Sequence, residues 1–169
     1  MEFEVKLKSV EEVYPVYLKA DEIPDFLAEL KASVFTDLNN NDILITSDTI
    51  VWHKNKALGK PSSPNEAFEM LRELSGNSHQ VITSVCFTTL QQQITVNEVT
   101  NVWFKELTDQ EIQFYIDNHH PFDKAGAYGI QEWIGAIGVT RIEGSYNNVM
   151  GLPTALVYKT LMELAAAKI

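Results

Sequence analysis

The stretch HQVITSVCFTTLQQQITVNEVTNVWF, residues His79–Phe104, decides the fold. HQVITSVCFTTL and QITVNEVTNVWF are rich in β-branched and aromatic residues, with a polar turn near Gln91–Gln93 between them. That pattern predicts two long strands joined as a hairpin. Cys86 lies inside the first strand, with no charged neighbour to depress its thiol, and reads as core rather than nucleophile. It is the one cysteine of the chain, so no internal disulfide framework exists and a reducing cytoplasm is the expected setting. His79, just ahead of the apolar run, reads as a structural histidine. Trp103, Phe104 and Tyr115 suit core positions better than a base-stacking platform.

Working outward towards the amino terminus, ILIT predicts a strand that ends at Ser47-Asp48-Thr49, and IVWHKNKALG predicts a hairpin around Lys54-Asn55. Pro24 opens a helix with Asp25 in its first turn and Phe26, Leu27, Leu30 and Val34 on one face; Lys31 falls on a neighbouring face. In SSPNEAFEMLRELSG a serine cap, Pro64 near the first turn, the apolar positions Ala67, Met70, Leu71 and Leu74, and Gly76 as a stop mark a second helix. FEVKLKSV alternates apolar and polar residues, the period of a half-buried strand, and runs into Glu11 and Glu12. Towards the carboxyl terminus, Thr108-x-x-Glu111 is a capping box for a third helix. AGAYGIQEWIGAIGVTRIEGSYNNVMGLP reads as irregular, with a strand at Gly138–Ile142, and a terminal helix follows. Helices and strands alternating early, then a long hairpin, predict an α/β fold: a mixed twisted sheet with flanking helices, residues 1–169 forming a single domain.

The chain has 169 residues, 45% of them hydrophobic, and a formal net charge of −10. Its length suffices for a real core. The acidic balance argues against nucleic acid, which needs a basic face, but leaves room for a small anion where a few lysines cluster. No apolar run has the length of a membrane span, and the first residues lack the basic-then-apolar form of a signal peptide.

The candidates for chemistry are polar groups at element ends: Glu12 and Asp48-Thr49 after strands, Lys60 in a Gly-Lys-Pro turn, and Lys124 and Gln131 in FDKAGAYGIQ. Two carboxylates and several lysines in one cleft suit phosphoryl chemistry, in which carboxylates hold metal or orient water and lysines neutralise phosphate oxygens. An Asx-type turn at Asp48-Thr49 and an ordinary exposed turn at Lys60 account for the same residues. His119 and His120 have no partner at zinc spacing. No Walker, Gly-x-Gly-x-x-Gly or Gly-x-Ser-x-Gly motif occurs.

Four segments in order, SDTIVWHKNKALGKP, AFEMLRELSGNSHQVITSV, YIDNHHPFDKAGAYGIQ and IEGSYNNVMGLP, resemble the Maf family of nucleoside triphosphate pyrophosphatases over essentially the whole chain. The resemblance implies two lobes around a cleft in an inosine triphosphatase-like fold, Mg2+ or Mn2+, and in many members a homodimer. It implies hydrolysis to the monophosphate and pyrophosphate, and DKAGAYGIQ and GSYNNVMGLP are similar to the branch acting on dTTP and UTP. By position, Asp48 matches the family's base or metal ligand and Thr49 its neighbour. Glu12, or Glu11 beside it, matches the second acid, Lys31 the helix lysine, Lys60 the Gly-Lys-Pro lysine and Gln131 the motif glutamine. Lys124 adds a further cation for substrate.

Two positions depart from the family pattern: Glu132 stands where the family has Gly, and His120 where it has an acid. FEVKLKSVEE follows, in the family, a strand and a Ser-x-Ser-Pro-Arg-Arg loop. The resemblance therefore implies a domain amino-terminally truncated relative to the family, with a sheet edge exposed. The alternative reading is a catalytically impaired nucleotide-binding or regulatory protein linked to cell division.

Overall fold

The expected hairpin is the centre of the structure, a computed structural model that describes residues 3–166. Its arms are β3 (Ser78–Thr88) and β4 (Gln93–Phe104), antiparallel and in register from Ser78 opposite Trp103 to Thr88 opposite Gln93. On the other side of β3 lies β1 (Leu44–His53), paired from Leu44 opposite Thr88 to Trp52 opposite Gln80. Lys54 and Asn55, with φ of 47° and 62°, turn β1 tightly into β2 (Lys56–Leu58). Two left-handed residues in succession give a turn whose twist matches the strands it joins. With β5 (Val139–Glu143) beside β4, the sheet order is β2-β1-β3-β4-β5.

Both faces of the sheet are covered, which explains why β3 reads as a near-continuous apolar run rather than a clean alternation. On one face α1 (Glu22–Ser33) sets Ile23 and Leu27 against Ile50 and Ile82, and Ala28 and Ala32 against Cys86. On the other, α2 (Pro64–Leu74) and α3 (Asp109–His119) pack Leu71, Leu74, Ile112 and Tyr115 with Val51, Val81, Val102 and Phe104. Each such apolar side chain, wholly removed from water, contributes about 1.5–3 kcal/mol. α6 (Thr154–Ala166) covers Val85 and Phe87 through Leu164. The expected caps are present. Ser63 accepts the Glu66 amide at 3.2 Å, and Thr108 and Glu111 close their capping box. His79 is buried, its Nε2 2.7 Å from the Tyr128 hydroxyl.

Several expectations are corrected. The helix-flanked sheet is present, and among the described residues all four strand pairings are antiparallel where a mixed sheet was expected. Phe3–Val10 is not a strand: it has no sheet partner, and Phe3, Val5 and Leu7 are exposed. An alternating pattern specifies a strand only when a sheet edge receives it. Glu12 consequently follows an irregular segment. Asp48 lies inside β1 rather than after it, which removes the turn reading of Asp48-Thr49. The glycine-rich segment is more ordered than its composition suggests, with a 3-10 turn at Ala125–Ala127, α4 (Trp133–Gly138) and α5 (Tyr146–Val149).

The order of that segment depends on close backbone packing. A Cβ at Gly135 would overlap the Ile130 carbonyl, whereas nothing lies within 4 Å of one at Gly59. Gly135→Ala is expected to lower stability by about 1–3 kcal/mol in denaturant unfolding, and Gly59→Ala to leave it nearly unchanged. Equal behaviour of the two variants would contradict this packing.

Candidate active site

Side chains alternate along β1, so Asp48 shares a face with Thr46 and Ile50, and that face meets α1. Thr46 fixes the approach by donating to the Ala28 carbonyl at 2.7 Å. Lys31, in the last turn of α1, then reaches Asp48 with its ammonium 2.6 Å from Oδ1, and also donates to the Ser47 carbonyl at 3.3 Å. The same ammonium lies 3.0 Å from Oε1 of Glu12, whose Oε2 is 3.1 Å from Lys60. Asp48, Lys31, Glu12 and Lys60 thus form a row of alternating charge. Glu12, not the exposed Glu11, makes these contacts.

β2 pairs only with Val51–His53, so among the described residues Leu44–Ile50 has no strand on that side. A cavity of about 380 Å³ opens beside this part of β1. Lys31, Asp48, Thr49, Lys60, Lys124 and Gln131 all line it, and Glu12 stands behind the first two lysines. Thr49 faces away from α1. Its hydroxyl is 2.9 Å from that of Thr83, which donates to the Asn148 carbonyl at 2.9 Å and so ties β1 to α5.

The sequence reading missed part of the wall. Asp123, Tyr128 and Gly151 line the cavity as well, and Lys124 is 2.7 Å from Asp123 and 3.2 Å from Glu132. Asp123 was signalled only by its place beside Lys124. Tyr128 gave no separate signal, because its ring packs as core on His79 and Phe104.

Burial pushes the Asp48 carboxyl above the usual aspartate range, and Lys31 offsets only part of that. Desolvation works against the Lys31 ammonium too, yet hydrogen bonds to Asp48 and Glu12 hold its pKa above the ordinary lysine value. For Glu12, burial is outweighed by Lys31 and Lys60, and its pKa lies below the usual glutamate value. The arrangement is a carboxyl group at reduced hydration, paired with the Lys31 ammonium and linked through Glu12 to that of Lys60. It can orient water and neutralise an anion beside it.

A family model described as Maf-like protein matches residues 1–164. The chain belongs to the Maf family. Among curated relatives, the dTTP/UTP pyrophosphatase of Flavobacterium johnsoniae is 58% identical over 165 residues, covering 97% of this chain and 85% of the relative. That of Flavobacterium psychrophilum is 55% identical over 163 residues, covering 96% and 84%. The more distant Cytophaga hutchinsonii protein, named likewise, is 44% identical over 162 residues, covering 96% and 74%. Among the described residues of this Maf chain, no helix is long and apolar enough to cross a membrane.

The charge row predicts how Asp48 titrates. In the metal-free protein its pKa should lie above the ordinary value of about 3.9. Lys31→Met should move it further up, because the substitution removes the cation that offsets burial. Carboxyl titration followed by NMR reads both shifts, and a downward shift in Lys31→Met would contradict the pairing.

Proposed function

We propose that this Maf chain is a nucleoside triphosphate pyrophosphatase that hydrolyses dTTP and UTP to the monophosphate and pyrophosphate, residues 1–169 acting as one domain. The observation that carries the reading is the convergence of Asp48 with Lys31, Lys60 and Lys124 on one cavity. The choice of dTTP and UTP rests on the names of the relatives.

In this reading, Lys60 and Lys124 meet phosphate oxygens as point charges, and Gln131 and Thr49 supply neutral polar groups at the same wall. Lys31 offsets part of the burial that disfavours the Asp48 carboxylate. Among the described residues Asp48 Oδ2 accepts no hydrogen bond, so it is free to take the proton of the attacking water. The new P–O bond forms at the α–β anhydride as the bridging P–O bond breaks, and pyrophosphate leaves with the bridging oxygen.

Asp48 and Glu12 are the residues that would hold Mg2+ or Mn2+. Their hard oxygens suit ions that take few protein carboxylates and leave other positions to water and phosphate. Among the described residues no cluster of three or more acidic, histidine or cysteine ligands exists, so the fit is to an ion shared with substrate. The charges around the cavity support this. Lys31, Lys60 and Lys124 face Glu12, Asp48, Asp123 and Glu132, so the ammonium groups do not exceed the carboxylates in number. A triphosphate entering such a site needs added positive charge, which a divalent ion held by Asp48 and Glu12 would supply, together with polarisation of the phosphoryl oxygens.

Asp48→Asn preserves the shape of the side chain and removes its charge. It should lower kcat for dTTP by at least about 10²-fold in protein that is still folded, although loss of the ion pair with Lys31 lowers its unfolding temperature; near-normal turnover would remove Asp48 from the mechanism. Lys60→Met should weaken binding of dTTP much more than of thymidine in calorimetric titration. Equal weakening of both ligands would mean that Lys60 serves the fold instead.

A further inference from the structure

Glu132 sits behind the cavity wall rather than on it. Its carboxylate joins two groups. Oε1 lies 3.2 Å from the Lys124 ammonium, and Oε2 accepts the hydroxyl of Tyr115, whose ring is wholly buried in α3. The same hydroxyl accepts the Gly129 amide at 3.1 Å. Lys124 and Glu132 cross at Gly129, where a Cβ would lie 3.0 Å from both Lys124 Cε and Glu132 Cδ. The second partner of Lys124, Asp123, has a side chain 77% exposed, against 21% for Glu132. Lys124 therefore has one anchored carboxylate and one loose one.

We propose that Glu132, braced by Tyr115, is a positioning residue that holds the Lys124 ammonium at the cavity wall for an anionic oxygen of the substrate. The proposal rests on the triphosphate reading above and deepens it. An entering phosphate replaces solvent-exposed Asp123 as a partner of Lys124, while Glu132 keeps the amine in place. Without Glu132, Asp123 is the remaining partner, and it draws the amine towards solvent. Because Lys124 would hold ground state and transition state alike, the loss falls on KM rather than kcat.

The test is a double-mutant cycle with Glu132→Gln and Lys124→Met, assayed by pyrophosphate release from dTTP and by calorimetric binding of inorganic tripolyphosphate. Each single variant should raise KM about tenfold with kcat nearly unchanged, as expected for one charge-assisted contact. The double variant should be hardly worse than Lys124→Met alone, because both changes remove the same interaction. Glu132→Asp, which keeps the charge, should recover part of the loss. Should Glu132→Gln fail to fold, Tyr115→Phe removes the brace, along with the acceptor of the Gly129 amide, while leaving Glu132 charged, and should raise KM in the same direction by a smaller factor. Losses that multiply in the double variant, an unchanged KM in Glu132→Gln, or a fall confined to kcat would overturn the proposal. Failure of the parent to hydrolyse dTTP or UTP would count against the function proposed above. In that case the same non-additive pattern in tripolyphosphate binding still supports the role of Glu132, and its absence refutes it.

Discussion

The Asp48 carboxyl is buried in the middle of a strand, and its 2.6 Å contact with Lys31 sets how α1 lies over the sheet. Apolar contacts alone would let a helix slide or roll, because Ile23, Leu27, Ala28 and Ala32 offer a broad surface. Polar contacts do not slide, since each misplacement leaves a buried group without a partner. α1 is fixed at both ends in this way. Asp25 in its first turn accepts from Ser84 at 2.5 Å and from Asn97 at 3.1 Å, and Lys31 in its last turn meets Asp48. The placement of the helix and the placement of the charge row are therefore one requirement.

The same pairing gives the cavity its character. Lys31, Lys60 and Lys124 already have carboxylate partners, so binding of an anion is an exchange of partners rather than the filling of a bare positive pocket. Such a site holds its groups in position before substrate arrives and needs little rearrangement during the reaction. It also suits an acidic protein. With a formal charge of −10, long-range attraction does not favour a polyanion, and selectivity must come from local geometry.

Much of this was legible in the sequence, for reasons that differ between elements. The β3–β4 hairpin, the Lys54-Asn55 turn and the caps at Ser63 and Thr108 depend on neighbours in the chain, and their signals are local. Glu12, Lys31, Asp48 and Lys60 were singled out individually, but a sequence separation of 48 between Glu12 and Lys60 hides their contact from any periodicity. The position of Asp48 was misread because ILIT ends its apolar run there, although the pairing with β3 continues to Trp52. Phe3–Val10 has strand chemistry without a strand, since pairing is a property of the sheet edge and not of the segment. The Glu132–Tyr115 contact was invisible because its members lie on α3 and at the cap of α4, separated by an irregular connection that includes the 3-10 turn at Ala125–Ala127.

Asn148 shows how the far wall is tied to this arrangement. It is fully buried, and its amide donates to the Val81 carbonyl at 3.0 Å and to the Thr100 hydroxyl at 2.9 Å. Its backbone carbonyl accepts from Thr83, whose hydroxyl meets that of Thr49 in the cavity. Two strands, β3 and β4, thus hold the residue that precedes Val149, Met150 and Gly151, which form one side of the cavity, and β1 is tied in through Thr49. A loop so anchored moves with the sheet rather than independently of it. Asp48 on one face of β1 and Thr49 on the other are therefore coupled through the same backbone, and the opposing walls of the cavity share a single rigid reference.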